Sequence, residues 1–155
     1  MNPRSEQLAD AVATLRAGER LATLVRGGDA IALIGDLGAG KTTLVTGLVA
    51  GLGGGAAASP TFSLVNEYPG GRLVVWHVDL YRIERAAELP ELGLDDVIGD
   101  LRGIVVVEWA DRFAVLPLDH LRLELTHGPG GGRGLAAIGT GPRGRELARE
   151  LLGSP

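Results

Sequence analysis

One nine-residue segment constrains the fold of this chain more than any other: GDLGAGKTT, at positions 35–43. It follows the short apolar run AIALI at 30–34, and the residues after it, 41–52, favour a helix. The segment matches the pattern G-x-x-x-x-G-K-[ST], in which a glycine-rich turn joins a buried strand to a helix. A strand, a glycine turn and a helix in this order predict an α/β domain.

The glycine-rich segment predicts a phosphate-binding loop. Gly38 and Gly40 allow backbone conformations in which successive N–H groups point inward at phosphate oxygens. Lys41 is the only lysine among 15 basic residues. We interpret it as the ammonium that reaches the β and γ phosphates of a nucleotide, a place too narrow for a planar guanidinium. The predicted loop residues are Gly35, Asp36, Leu37, Gly38, Ala39, Gly40, Lys41, Thr42 and Thr43.

Length and composition limit the remaining choices. With 155 residues, of which 45% are hydrophobic, the chain fits one domain over positions 1–155. It contains no cysteine, which excludes disulfides and thiolate chemistry. Its apolar runs are too short to cross a membrane, so we expect a cytoplasmic protein. A net charge of −4 argues against direct binding of RNA or DNA, which requires a basic surface.

Periodicity predicts a single domain with a central mixed β-sheet flanked by helices. Apolar spacing predicts a helix within 5–24, either continuous or starting with Thr14 as N-cap. The predicted strands are 30–34, 62–68, 72–78, 103–107, 121–126 and 135–138, and the second and third form a hairpin. Further helices are predicted at 41–52, 84–89 and 143–152, with a loop at 128–134.

Two acidic residues directly follow predicted strands. Asp79 follows LVVWHV, and Glu108 follows GIVVV. The carboxyl ends of such strands face the ligand crevice of an α/β sheet, so both are candidates to act on a magnesium ion together with the Thr42 hydroxyl. The alternative for each carboxylate is a helix N-cap or a surface salt bridge. His77 is most simply interpreted as a core or edge residue of its strand.

Five segments in order resemble the TsaE family, small bacterial ATPases of tRNA threonylcarbamoyladenosine biosynthesis. They are GDLGAGKTTL (35–44), SPTFSLVNEY (59–68), HVDLYR (77–82), ELGLDD (91–96) and VEWADR (107–112). The phosphate loop alone is generic, whereas its conjunction with SPTF, H-x-D-x-Y-R and V-E-W is far more specific. The resemblance spans roughly residues 14–140.

The resemblance implies a function and its site residues. TsaE proteins bind and hydrolyse ATP with Mg²⁺ and dock on the TsaB–TsaD pair, so tRNA is met only through partners. In the family's pattern Lys41, Glu108 and Asp79 are catalytic, and Thr42, Glu108 and Asp79 serve the metal. Further positions expected near nucleotide are Thr14, Thr61, Trp109 and Arg133. Arg82 and Arg112 are candidate arginine fingers, and surface or salt-bridged roles are equally open to them.

Three rival functions share parts of this pattern. A small-molecule P-loop kinase would use the same loop and acids, but it needs an acceptor pocket and usually an arginine-bearing lid. A GTPase would need N-K-x-D, which a chain whose only lysine is Lys41 does not contain. A binding module could use ATP only to gate a protein contact, with little turnover. The sequence gives neither strand order nor oligomeric state.

Overall fold

The computed structural model describes residues 4–36, 38–55, 65–69 and 71–153. Within them lie seven strands and four α-helices. The strands are β1 (Arg4–Leu8), β2 (Ala30–Gly35), β3 (Val65–Tyr68), β4 (Val74–Asp79), β5 (Gly103–Glu108), β6 (Leu121–His127) and β7 (Arg133–Gly139). The helices are α1 (Ala11–Leu24), α2 (Lys41–Gly51), α3 (Leu94–Val97) and α4 (Pro142–Leu151). Short 3₁₀ helices span Leu80–Arg82, Ala86–Leu92 and Pro129–Gly131.

The seven strands form one mixed sheet in the order β1-β7-β6-β2-β5-β4-β3. The four central strands, β6, β2, β5 and β4, run parallel. β3 pairs antiparallel with β4 at one edge, and β7 and β1 continue antiparallel at the other. The strand that precedes the glycine turn is therefore internal, with its carboxyl end beside that of β5. The expected α/β class with a mixed sheet is confirmed.

The two faces of the sheet are covered differently. One core cluster joins α1, α2 and α4 to inward residues of the strands, such as Leu33, Leu123 and Val106. The opposite face packs under the short helices between β4 and β5 and the segment after β5, around Trp76, Val78 and Leu80. Long helices thus flank the sheet on one face, whereas short 3₁₀ and α-helical turns close the other.

Helices α1 and α2 approach each other at glycines. A Cβ added to Gly18 would lie 2.2 Å from the Leu44 carbonyl oxygen, and one added to Gly47 would lie 2.0 Å from the Leu15 carbonyl oxygen. Only glycine allows two helix backbones to come this close. Gly18 is therefore a packing position in α1 and does not interrupt the helix. This contact fixes the helix that carries the phosphate loop.

The predicted start of the first helix is wrong. Residues Arg4–Leu8 form a strand that pairs with β7, and α1 begins only at Ala11. Its N-cap is Asp10, whose carboxylate accepts a hydrogen bond from the Ala13 N–H at 2.8 Å, and not Thr14. β1 lies at the sheet edge and buries only Leu8. Because Leu8 fits the three-to-four-residue apolar spacing of α1, the sequence pattern wrongly extended the predicted helix over this strand.

The other predicted elements are confirmed with small shifts of their ends. The predicted hairpin is the antiparallel pair of β3 and β4, although 62–64 lies outside the described residues. The predicted helix at 84–89 is the 3₁₀ helix Ala86–Leu92. Among the described residues, no helix combines the length and hydropathy needed to span a bilayer.

Candidate functional site

The phosphate loop leaves β2 at Gly35 and enters α2 at Lys41. Gly38 and Gly40 both adopt left-handed backbone conformations, with φ of 79° and 105°. L-amino acids other than glycine rarely adopt these angles, so both glycines are required by the turn. Ala39 is buried between them, and its N–H donates to the Asp36 carbonyl at 3.0 Å. The strand, turn and helix that the motif requires are therefore present in order.

Lys41 is folded back over the loop and is almost completely buried. Its ammonium donates to the Gly35 carbonyl at 2.7 Å and lies 3.7 Å from Oε1 of Glu108. The same ammonium is 4.5 Å from the ring centroid of Trp109, a cation–π contact. A point charge on a flexible stem satisfies three such different partners at once, which a planar guanidinium does not.

Glu108 ends β5 and is the buried carboxylate of the site. Its Oε2 lies 2.5 Å from Nε2 of His77. Burial by itself would raise the pKa of this carboxyl, but the hydrogen bond from His77 and the charge of Lys41 outweigh it and hold the pKa below its ordinary value. Glu108 is therefore ionised at neutral pH, which a metal ligand or a proton acceptor requires.

Asp79 ends β4 directly beside Glu108. The two residues are register partners on parallel strands, so their side chains leave the same face of the sheet. Asp79 is exposed, and its Oδ1 accepts a hydrogen bond from the Tyr81 N–H at 2.9 Å, which caps the 3₁₀ helix Leu80–Arg82. The cap foreseen as an alternative is present. This cap uses only Oδ1 of Asp79, at the same edge of the sheet as the phosphate loop.

Trp109 follows Glu108 with φ of 58°, the only positive φ of a non-glycine residue in the described part of the chain. Its N–H donates to the Leu33 carbonyl at 3.3 Å and so extends the pairing with β2. Its ring contacts both the Lys41 ammonium and the ring of Tyr81, whose centroid is 5.1 Å away. A bulky residue in this region is a local strain of the kind found at functional sites.

Two residues distant in sequence reach the phosphate loop. The Arg133 guanidinium donates to the Gly38 carbonyl at 3.0 Å and also to the carbonyls of Gly131 and Gly132. A Cβ added to Gly40 would lie 3.5 Å from Cγ2 of Thr14 and 3.9 Å from the Arg133 side chain. Thr14 and Arg133, both expected near nucleotide, therefore flank the glycine turn.

The remaining predicted residues are placed as follows. Thr42 is exposed in the first turn of α2 and lines, with His77, a cavity of about 300 Å³ beside the hairpin. Asp36 is exposed and Thr43 is half-buried. Leu37 and Thr61 lie outside the described residues. Arg112 donates to the carbonyls of Leu80 and Tyr81, which gives this candidate finger a structural role.

The donor set fits a magnesium nucleotide. Among the described residues, no three histidine or acidic side chains converge to hold a metal by themselves. Mg²⁺ is usually held by one or two carboxylates, water and the phosphates of its nucleotide, so a hydroxyl and two carboxylates suffice. The hydroxyl of Thr42 and the carboxylates of Asp79 and Glu108 offer oxygen atoms of the type that this ion prefers.

His77 is the site residue that the sequence interpretation missed. A role as a core or edge residue of its strand was expected. The residue is buried in β4, and in addition its ring contacts Glu108 directly. The strand alternation contained only part of the signal, namely that His77 and Asp79 share a face of β4. His77 lies two residues before Asp79 on β4 and therefore faces the same side, while its register partner Val106 lies two residues before Glu108 on β5.

The family follows from comparison with known proteins. A family model described as "Threonylcarbamoyl adenosine biosynthesis protein TsaE" matches residues 8–134. The chain belongs to the TsaE family. The match includes the phosphate loop, His77, Asp79, Glu108 and Arg133.

Individual relatives agree with this family over most of their length. The TsaE protein of a Nostoc species is 44% identical over 130 residues, which cover 81% of this chain and 80% of the relative. That of Bacillus subtilis is 37% identical over 132 residues, covering 84% and 82%. Both are named for tRNA threonylcarbamoyladenosine biosynthesis. The crystal structure of Bacillus subtilis YdiB aligns with a TM-score of 0.80 and 29% identity, covering 97% of this chain and 94% of that one.

Proposed function

We propose that this chain is a magnesium-dependent ATPase that binds the TsaB–TsaD complex and supports N6-threonylcarbamoyladenosine modification of tRNA. The main support is the placement of Lys41. Its buried ammonium lies between the carbonyl of the phosphate loop and the Glu108 carboxylate, at the carboxyl edge of parallel strands. Ligands of open α/β sheets bind at this edge.

Nucleotide binding is assigned to the glycine turn and its flanks. Backbone N–H groups of residues 38–43 and the N-terminal end of α2 favour an anion. Lys41 bonds to the Gly35 carbonyl, and we expect its flexible stem to turn the ammonium toward the β and γ phosphates when nucleotide binds. Thr14, Arg133 and Trp109 border the site and are expected to contact the rest of the nucleotide.

Metal binding is assigned to the Thr42 hydroxyl with Asp79 and Glu108. Magnesium bound there would offset the charge that develops on the phosphates during transfer. The protein contributes fixed oxygen ligands at the ends of β4 and β5. The exposed Asp79 has one carboxylate oxygen engaged by the Tyr81 N–H and a second oxygen with which to approach the ion.

Turnover is assigned to Glu108. Its carboxylate is ionised and held at the edge of the sheet, so it can orient a water molecule and accept its proton. Arg112 is committed to two backbone carbonyls. We therefore expect hydrolysis by the isolated chain to be slow and to accelerate when a partner completes the site.

The cellular role rests on the relatives, which are named for tRNA threonylcarbamoyladenosine biosynthesis. A net charge of −4 favours a contribution through TsaB–TsaD over direct contact with tRNA. Cytoplasmic localisation belongs to the same proposal, since the substrate tRNA is cytoplasmic.

A reconstituted tRNA modification assay tests this function. Three reactions are compared, each containing purified TsaB–TsaD, tRNA, ATP and the activated threonylcarbamoyl donor. The first also contains the wild-type chain, the second contains Lys41→Ala, and the third contains neither. We expect sustained modification only with the wild-type chain. Equal multiple-turnover modification in all three reactions would contradict the role. Transfer of phosphate to a small molecule in place of water would favour a kinase.

A further inference from the structure

The two oxygens of the Glu108 carboxylate have different kinds of partner. Oε2 bonds to the ring of His77 at 2.5 Å, whereas Oε1 lies 3.7 Å from the ammonium of Lys41. Lys41 is shared with Gly35 and Trp109 and sits on a long, flexible stem. If that ammonium turns toward phosphate, Oε1 is released. His77 is then the contact that still determines how the carboxylate is oriented.

His77 is built into the sheet. It lies in the middle of β4, paired with Asn66 of β3 on one side and Val106 of β5 on the other. The residue is 9% exposed, and its ring stacks on that of Tyr68 with centroids 6.3 Å apart and planes inclined by 29°. The backbone of His77 is paired on both sides and its ring is rigid, so the position of its ring nitrogens is fixed. The ammonium of Lys41, on its flexible stem, is not fixed in this way.

The chemistry of the contact fixes its direction. An ionised carboxylate only accepts hydrogen bonds, so Nε2 of His77 carries the hydrogen and donates it to Glu108. The other ring nitrogen, Nδ1, is buried without a hydrogen-bond partner among the described residues. The histidine therefore has one polar contact in this part of the chain, and that contact is the glutamate.

A purely structural role explains His77 poorly. Val75, the preceding residue on the same face of β4, and the register partner Val106 are both buried and apolar. An apolar side chain at position 77 would extend this surface without burying an unpaired nitrogen, which costs free energy. The polar ring gains its only described hydrogen bond from Glu108.

We infer that His77 is a positioning residue that holds Oε2 of Glu108 and so directs Oε1 toward the metal and the reacting water. This inference rests on the proposed ATPase function. It assigns the glutamate's two oxygens separate tasks: one is bound permanently within the sheet, and the other passes from Lys41 to the reaction. Partners of this kind typically affect metal affinity or activity by about 10- to 100-fold.

The test compares His77→Leu, which removes the donor, with His77→Gln, whose side-chain amide can donate from nearly the same place. His127→Leu is the matched control, because His127 is exposed at the end of β6. We expect His77→Leu to lower the kcat for ATP hydrolysis by about 10- to 100-fold and to change KM by less than about threefold. His77→Gln should recover most of the lost kcat, and the control should match wild type.

Two further measurements separate positioning from folding. In a Glu108→Gln background, the His77→Leu change should lower the residual rate little further, because both act through one carboxylate. In ¹⁵N-histidine spectra of the nucleotide-free protein, the Nε2 proton of His77 should appear as a protected downfield resonance. That resonance should move upfield in Glu108→Gln, while the signals of His120 and His127 stay in place.

The outcomes are distinguishable. Wild-type kcat in His77→Leu, equal losses in the Leu and Gln variants, or a full further loss in the Glu108→Gln background would overturn the positioning role alone. A missing Nε2 resonance would also overturn it, whatever the kinetics. If the wild-type chain binds ATP but does not hydrolyse it under any condition, the ATPase proposal fails and the positioning role with it.

Discussion

At the scale of the residue, the chemistry of this chain depends on how few groups satisfy the Lys41 ammonium. It has a backbone carbonyl, a carboxylate beyond hydrogen-bonding distance and the face of an indole ring. Only one of these contacts is a hydrogen bond, so the buried ammonium can exchange its present partners for phosphate oxygens. All other positions in the Lys+Arg count are arginine, yet the loop keeps lysine, as the narrow ring of amides requires.

Replacement of Lys41 by arginine tests this geometric requirement. The charge is retained, but a planar guanidinium does not fit among the loop amides. We expect roughly 10- to 100-fold weaker ATP binding, since a hydrogen bond to a charged group contributes about 1.5–3 kcal/mol. Isothermal titration with ATP measures it, with Arg149→Lys on the exposed side of α4 as control. ATP affinity equal to wild type would show that charge alone suffices.

Much of the site could be predicted from the sequence because its residues adjoin strongly patterned elements. Lys41 is fixed by the loop motif, and Asp79 and Glu108 by the ends of apolar strands. The proximity of the two acids followed only from strand order, since β4 and β5 are neighbours in the sheet although short helices separate them along the chain. The contact of His77 with Glu108 needed the register as well, which the sequence does not contain.

At the scale of the element, α2 is positioned by backbone contact with α1. Gly47 allows this contact, because a Cβ there would overlap the Leu15 carbonyl. The phosphate loop leads directly into α2, so the same contact bears on the site. Glycine inside a helix is intrinsically unfavourable by about 1 kcal/mol relative to alanine, which makes its presence here a consequence of packing.

Gly47→Ala should therefore destabilise the fold in spite of the better helix propensity. The overlap is with backbone, which does not yield easily, and overpacking costs about 1–3 kcal/mol. Urea unfolding measures the loss. Gly55→Ala is the control, since a Cβ there lies more than 4 Å from the other atoms that the structure describes. If Gly47→Ala were as stable as wild type, α1 and α2 could move apart without lowering the free energy of unfolding, and the close contact would not be required.

The last helix is attached by a buried ion pair. Arg143 donates to both carboxylate oxygens of Asp29, at 3.0 and 2.8 Å, and to the Leu24 carbonyl at 2.8 Å. Asp29 is 8% exposed and also accepts the Arg26 N–H. The pair thus joins α4, the end of α1 and the start of β2.

Asp29→Asn should lower the free energy of unfolding by about 2 kcal/mol, because it removes the carboxylate that binds the partly buried Arg143 guanidinium through two hydrogen bonds. Of its two carboxylate partners, the guanidinium then keeps Glu146, at 3.3 Å. Chemical denaturation measures the change. Glu6→Gln, which breaks the exposed ion pair with Arg20, is the control and should lower the free energy of unfolding by less than about 1 kcal/mol. Equal midpoints for the two variants would refute a special role for the buried pair.

The elements that the sequence predicted best are those with the strongest apolar pattern. AIALI and GIVVV are buried almost throughout, in the middle of the sheet. β1 was missed because an edge strand with one buried residue has no such pattern. Its pairing with β7 joins residues more than a hundred positions apart, and local periodicity contains no information about such a contact.

At the scale of the whole molecule, all proposed site residues of the described chain gather at the carboxyl edge of the central strands. The opposite edge carries none of them. We therefore expect nucleotide to control how the chain associates with TsaB–TsaD, because Trp109 and the exposed Tyr81 connect the Lys41 ammonium to the surface.

Association with TsaB–TsaD should depend on ATP. Size-exclusion chromatography with and without magnesium ATP should show a joint peak only with nucleotide, and Lys41→Ala should abolish it. Co-elution of Lys41→Ala equal to that of wild type, or no association in any nucleotide state, would contradict nucleotide control of docking.

The role of Glu108 in turnover is tested most directly by the rate of ATP hydrolysis by Glu108→Gln at saturating magnesium ATP. Glutamine keeps the shape and the contact with His77 but lacks the ionised carboxylate. We expect wild-type ATP affinity and a rate reduced by about 100-fold or more, within the range typical of the loss of a general base. A Glu108→Gln variant that hydrolyses ATP as fast as wild type would show that Glu108 has no part in the mechanism and would contradict the proposed site.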